Sequence, residues 1–252
     1  MLGIIIGDVI ESRFITDMYR SYDFDLFDDD CFFTCNSIMG FTIVQSLLDS
    51  KELIKSDINN DGFTVIFENI FRKNLCECRM KYPKFSLNLE RKETCDLKNQ
   101  GAKWISPLAH FVDSESDLMN LIEIISKILE TDYTSIIGVK AVGLAIYLAK
   151  NHNNKVEIRK TIEDRIYHCN LESKELASAN EVIALKAFFD TNNFEEAIRL
   201  SVSLGNDQMS IAVITTSLAA TFYGVADDVK QIGLSYLNDN LLKLFKKWED
   251  NN

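Results

Sequence analysis

Apolar residues return along this chain every three or four positions. Ile38, Phe41, Val44 and Leu48 form one such series, and Phe63, Ile66, Phe67, Ile70 and Phe71 form a second. Leu118, Leu121, Ile122, Ile125 and Leu129 form a third, after the capping-box pattern Ser114-Glu115-Ser116-Asp117. This spacing puts each set on one face of a helix and does not suit a strand. Ser135 to Lys150 is apolar on nearly all sides, and Gln208 to Tyr223 carries Ile211, Ile214, Leu218 and Phe222 at helical spacing; both are expected as central, buried helices. Leu2 to Phe14 reads as another buried helix, with Gly7 permitting close packing. Val156 to Tyr167, Lys174 to Phe189 and Asp228 to Trp248 read as amphipathic helices, and Asn193-Phe194-Glu195-Glu196 opens one more.

Where the period lapses, the chain predicts loops. Residues 15–30 mix Tyr19, Tyr22, Phe24 and Phe27 with Asp23, Asp25, Asp28, Asp29 and Asp30. They read as an acidic loop, or as a flap over a site. Residues 84–103 are polar and read as a long loop, and 151–154 as a turn. No internal repeat or linker interrupts the 252 residues, so the expectation is one all-α domain over 1–252. Only 10 Gly and 2 Pro in that length favour helices over turn-rich β architecture.

A net charge of −11 opposes binding to nucleic acid or to an anionic membrane. Met1 to Ile6 lacks the basic start of a secretory leader and runs at once into Asp8, and no apolar run reaches transmembrane length. These features predict a cytoplasmic protein with reduced thiols. Cys31 with Cys35, and Cys76 with Cys78, are close pairs, but no well-spaced His completes a zinc site.

Two polar helix starts carry the candidate chemistry. One is Phe33-Thr34-Cys35-Asn36-Ser37, and the other is Leu204-Gly205-Asn206-Asp207-Gln208-Met209-Ser210. Each places a hydroxyl or acidic side chain near unsatisfied backbone N–H groups. Far apart in sequence, they are the right kind of pair to face each other across one cleft.

Taken in order, the motifs resemble those of the ADP-ribosylglycohydrolase family. The resemblance rests on Met1 to Phe14, Asp23-Phe24-Asp25-Leu26-Phe27, Phe33 to Met39, Tyr82-Pro83, Ile105-Ser106-Pro107-Leu108, Gly138 to Lys150, Val202 to Asp207, and Phe222-Tyr223-Gly224. It implies an all-α, orthogonally packed multi-helix fold with two magnesium ions in a central cleft. It also implies hydrolysis of the bond joining ADP-ribose to a protein side chain.

The family's metal residues fall on the two helix starts, and here they are mostly replaced. Thr34, Asp207 and Ser210 keep a usable oxygen, while Cys35, Asn36 and Met209 stand where carboxylates are expected. Thiol and thioether are soft ligands and magnesium is hard, so the expectation is weak magnesium binding or none. The family's flap glutamate falls near Ile15, with Glu11 and Asp17 offset from it. The remaining candidates for proton transfer are Asp207, Glu11 and Asp8. The ligand-holding stretch falls on Lys98 to Gly101, which makes Asn99 and Gly101 ligand-binding candidates, with Gly205, Asn206 and Trp104. The turn Glu130-Thr131-Asp132-Tyr133 stands where the family has a His-rich turn.

Three readings follow. The first is a catalytically impaired family member that holds ADP-ribose, an ADP-ribosylated protein or a related partner. The second is an active glycohydrolase with one metal or none. The third is a protein-interaction module without a nucleotide ligand.

Overall fold

The computed structural model describes residues 1–14, 21–58, 61–83, 100–129, 131–173, 175–176, 179–204 and 208–251. The described elements are helices: α1 (Leu2–Glu11), α2 (Cys35–Asp49), α3 (Lys51–Asp57), α4 (Asp61–Lys81), α5 (Ser106–Phe111), α6 (Glu115–Ile128) and α7 (Tyr133–Lys150). They continue with α8 (Lys155–Ile162), α9 (Asn180–Phe189), α10 (Phe194–Ser203), α11 (Gln208–Tyr223), α12 (Asp227–Ser235) and α13 (Asp239–Glu249). The expected all-α class holds. No described helix is long and apolar enough to cross a membrane.

The two stretches read as central do lie against each other. α11 packs on α7 and also meets α1, α9 and α10. α1 carries Ile4, Ile5, Ile6, Val9 and Ile10, all fully buried. Each such side chain contributes roughly 1.5–3 kcal/mol by leaving water, so this short helix is held by packing and not by propensity.

Close approach of α1 to α11 requires its glycines. A Cβ at Gly3 would stand 2.5 Å from both the Ser217 Cα and the Thr216 carbonyl oxygen. Thr216 Oγ1 uses the closeness to donate a hydrogen bond to the Gly3 carbonyl at 2.8 Å. A Cβ at Gly7 would reach the Thr216 hydroxyl at 2.2 Å and the Val213 Cα at 3.1 Å. Gly3 against Ser217 and Gly7 against Val213 means that the two helices run antiparallel. The C-terminal half of α1 therefore lies toward the start of α11. α11 ends at Gly224, whose φ of 77° is the left-handed stop that glycine supplies cheaply.

Some boundaries differ from the sequence pattern. Asp228 to Trp248 forms two helices, α12 and α13, and not one. Asn238 breaks the run, because its side chain caps the second helix by accepting from the Asn240 and Leu241 N–H groups at 3.1 Å each. The amphipathic period continues across this break. Val156 to Tyr167 is α8 followed by a wider π turn over Glu163–Tyr167. The helix expected from Lys174 begins at Asn180. Asn154, read as part of a turn, caps α8 with a full capping box to Glu157.

Candidate functional site

Asp8, near the C-terminal end of α1, is fully buried. An isolated buried carboxylate is costly, so its surroundings must supply donors. They come from the start of α2. Asp8 Oδ2 accepts from the Thr34 N–H at 2.7 Å, the Ser37 N–H at 3.1 Å and the Ser37 hydroxyl at 2.6 Å. Asp8 Oδ1 accepts from the Thr34 hydroxyl and, at 3.2 Å, from Asn36 Nδ2. The carboxylate thus sits where the α2 dipole favours negative charge. Burial nonetheless pushes the Asp8 carboxyl above its ordinary value, against the opposing pull of these hydrogen bonds.

Thr34 is the N-cap of α2 and accepts from the Asn36 N–H at 3.2 Å. Asn36 is buried and bonded through both ends of its amide. Its Nδ2 faces Asp8, and its Oδ1 accepts from the Trp104 indole at 3.1 Å. Trp104, 1% exposed, follows a short 3-10 turn over Gly101–Lys103. Cys35, between these buried neighbours, is half-exposed. Residues from three distant stretches, 8, 34–37 and 104, therefore form one buried polar cluster.

Glu11 lies one turn beyond Asp8 and is also fully buried. Continued along the antiparallel pair, the register of Gly3 and Gly7 sets position 11 beside the first turn of α11. The helix starts at 34–37 and 208–210 consequently share one end of α1. Gly205, Asn206, Asp207 and Asn99 lie outside the described residues, and so do the side chains of Met209 and Ser210. Ile15, Asp17 and Tyr19 lie outside them as well.

Gly101 is buried beside the start of α7, where a Cβ would meet Val139 at 3.4 Å and the Thr131 hydroxyl at 4.0 Å. That hydroxyl is buried and has no hydrogen-bond partner among the described residues. The two stretches flagged by resemblance, Lys98 to Gly101 and Glu130 to Tyr133, thus meet at Gly101 and Thr131.

The acidic loop is tied to the same end of the molecule. Arg13 bonds to Asp28 and to the Asp25 carbonyl, and Arg199 donates to the Phe24 carbonyl at 2.6 Å. Phe24 lies against both guanidinium groups, with ring-centroid distances of 5.7 Å to Arg13 and 5.1 Å to Arg199. Its ring is committed to this packing. Tyr22, 46% exposed, is the described loop aromatic that faces solvent most openly. The sequence reading missed the two arginines, since neither the spacing nor the local motif points to their long-range partners.

Chemically, this arrangement fastens helix starts. Asp8 spends its lone pairs on five donors, and Asn36 is neutral and held on both sides. Among the described residues, no group of three or more His, Cys, Asp or Glu is placed to hold a cation. Cys31, Cys35, Cys76, Cys78 and Cys169 form no disulfide, and burial raises the Cys31 thiol above its ordinary value. No protein-family model matches the chain, and no curated protein matches it.

Proposed function

We propose that this chain is an ADP-ribosylglycohydrolase-like binding protein with impaired hydrolysis. It acts in the cytoplasm and holds ADP-ribose, or an ADP-ribosylated side chain of a protein partner, at the paired starts of α2 and α11. The reading joins the ordered sequence resemblance to one observation: how Asn36 is held. At a position where the family places a metal-binding carboxylate, Asn36 is neutral, buried and bonded to Asp8 and Trp104. A divalent cation needs several oxygen ligands with compensating charge. Asn36 supplies no charge, and its amide oxygen is already engaged.

The helix starts themselves remain useful. At the α2 start the Thr34 and Ser37 N–H groups already bond Asp8, so a diphosphate would draw its N–H donors from the first turn of α11, without any metal. Binding is thereby separable from cleavage, which requires groups that stabilise charge developing in the transition state.

Titration calorimetry with ADP-ribose, with magnesium and then with a chelator, tests the proposal. The expected outcome is binding that is indifferent to magnesium, with no ribose-linked product formed. Failure to bind ADP-ribose under either condition refutes the binding reading. Magnesium-dependent release of ADP-ribose from a modified protein would establish the enzyme reading in its place.

A further inference from the structure

A cavity lies at the other end of α1, about 12 Å along the helix axis from Glu11 when measured from Gly3. Its volume is about 310 Å³, and its walls come from the starts of α1 and α5, the end of α11, and α12 and α13. That volume falls at the small end of the range for ligand sites.

Ser106, at the start of α5, lines this cavity and is 2% exposed. Its hydroxyl makes no hydrogen bond with the described residues. That hydroxyl is open to the cavity and is free to bond a ligand there. His110 stands one turn along α5 on the same cavity, and burial brings its imidazole down to about 3, with the Met1 amino group and Lys150 adding to the effect. It is therefore neutral at physiological pH.

His110 Nε2 lies 3.0 Å from the Thr221 hydroxyl, which also contacts the Ser217 carbonyl at 2.9 Å, so Nδ1 is the ring nitrogen left for a ligand. Leu2 and Gly3, in the first turn of α1, add backbone N–H groups without intrahelical partners. Ala220, Phe245 and Trp248 supply apolar surface.

The charges belong to the rim. Lys230 and Glu249 are both partly exposed and pair with each other at 2.5 Å. Asp227 adds an exposed negative charge. Met1 also lines the cavity, but burial brings its amino group down to about 5, so it is uncharged at pH 7. An anion entering the cavity would meet the Asp227 carboxylate, and any ion would lose water with no free counter-charge inside. A ligand with hydroxyls that both donate and accept, and with no net charge, fits the walls better.

We propose that this cavity binds a small uncharged polyol, of the size of one sugar ring, through Ser106, His110 and the first turn of α1. It is separate from the helix starts at the opposite end of α1.

The test uses the indole N–H signals of the protein's two tryptophans in ¹⁵N-labelled full-length chain. D-glucose and myo-inositol, at millimolar concentrations, are expected to shift the Trp248 signal and leave that of Trp104 in place. Ser106→Ala should weaken the response roughly 5- to 10-fold, the loss expected for one hydrogen bond. Ala220→Leu should abolish it by filling the space, and the circular dichroism melt of each variant verifies folding. The proposal is overturned if neither polyol moves the Trp248 signal, or if inorganic phosphate moves it and the polyols do not. A response that survives unchanged in folded Ser106→Ala overturns it too, and that variant suffices should Ala220→Leu fail to fold.

Discussion

The indole N–H of Trp104 ends on the side-chain oxygen of Asn36, 3.1 Å away and out of reach of water. This bond couples the turn before α5 to the first turn of α2. Asn36→Ala would strand the indole donor and remove one of the donors to Asp8. The expected loss is about 2–3 kcal/mol, from buried groups left unpaired. Urea denaturation gives the value directly. A change within about 0.5 kcal/mol would mean that water replaces the amide and the cluster is not sealed.

Asp8 makes stability depend on pH in a definite direction. Its folded value is raised above the ordinary 3.8 because burial outweighs the hydrogen bonds. The folded chain then keeps a proton that the unfolded chain has lost. The Asp8 contribution is complete below 3.8, declines as pH rises through the folded value, and is level above it. Asp8→Asn cannot titrate. The stability advantage of the wild-type chain over Asp8→Asn should therefore shrink as pH rises above the ordinary 3.8. An advantage that grows as pH rises would mean that the donors at Thr34, Asn36 and Ser37 dominate and hold the carboxylate ionised.

The glycines of α1 predict a graded response. At Gly3 an added methyl group meets backbone of α11 at 2.5 Å, and backbone cannot rotate away. At Gly7 the nearest obstacle is the Thr216 hydroxyl at 2.2 Å, a side-chain group. Gly7→Ala should cost about 1–3 kcal/mol, in the range of overpacked cores, and Gly3→Ala more. Combining Gly7→Ala with Thr216→Ala should recover part of the loss, whereas Gly3→Ala with Thr216→Ala should recover less. Thermal melts of the four variants decide this. Equal rescue at both positions would contradict the backbone argument.

The helices were legible because their cause is local. A buried face needs apolar residues at helical spacing, and α2, α4, α6 and α11 display that spacing openly. The break at Asn238 was less legible because the amphipathic period runs through it. Its capping role depends on one side chain turning back to the N–H groups of Asn240 and Leu241. Thr34 could be read as a helix cap from its place before an apolar run. That Asp8 and Trp104 converge on the same turn could not, because pairings across 26 and 68 residues leave no periodic trace. The clamping of Phe24 by Arg13 and Arg199 escaped notice for the same reason.

The last prediction concerns restoration of a metal site. Cys35→Asp, Asn36→Asp and Met209→Asp together would return the carboxylates that the family resemblance places at the two helix starts. Their energetic consequences differ. Cys35 is half-exposed, so an aspartate there keeps some contact with water and sits favourably at an α2 start. Asn36 is buried against Asp8, so an aspartate there sets two carboxylates side by side. Without a cation, one must hold a proton or the helix start must shift. The triple variant should therefore be less stable than wild type in a chelator and should regain stability when magnesium is added. The recovery should follow magnesium concentration as a ligand that binds the folded state alone. Melting temperature against magnesium measures it, with wild type expected to change little. Hydrolysis of ADP-ribosyl-arginine or ADP-ribosyl-serine is expected to stay undetectable in wild type. One lost electrostatic contact in an active site typically costs about 100- to 1000-fold, although such losses do not simply add. If wild type turns over either substrate and Asp207→Ala abolishes the activity, then Asp207 is a working group and this chain is an enzyme. If the triple variant gains no stability from magnesium, the helix starts at 34–37 and 208–210 do not form a metal cleft, and the proposal for ADP-ribose loses its structural basis.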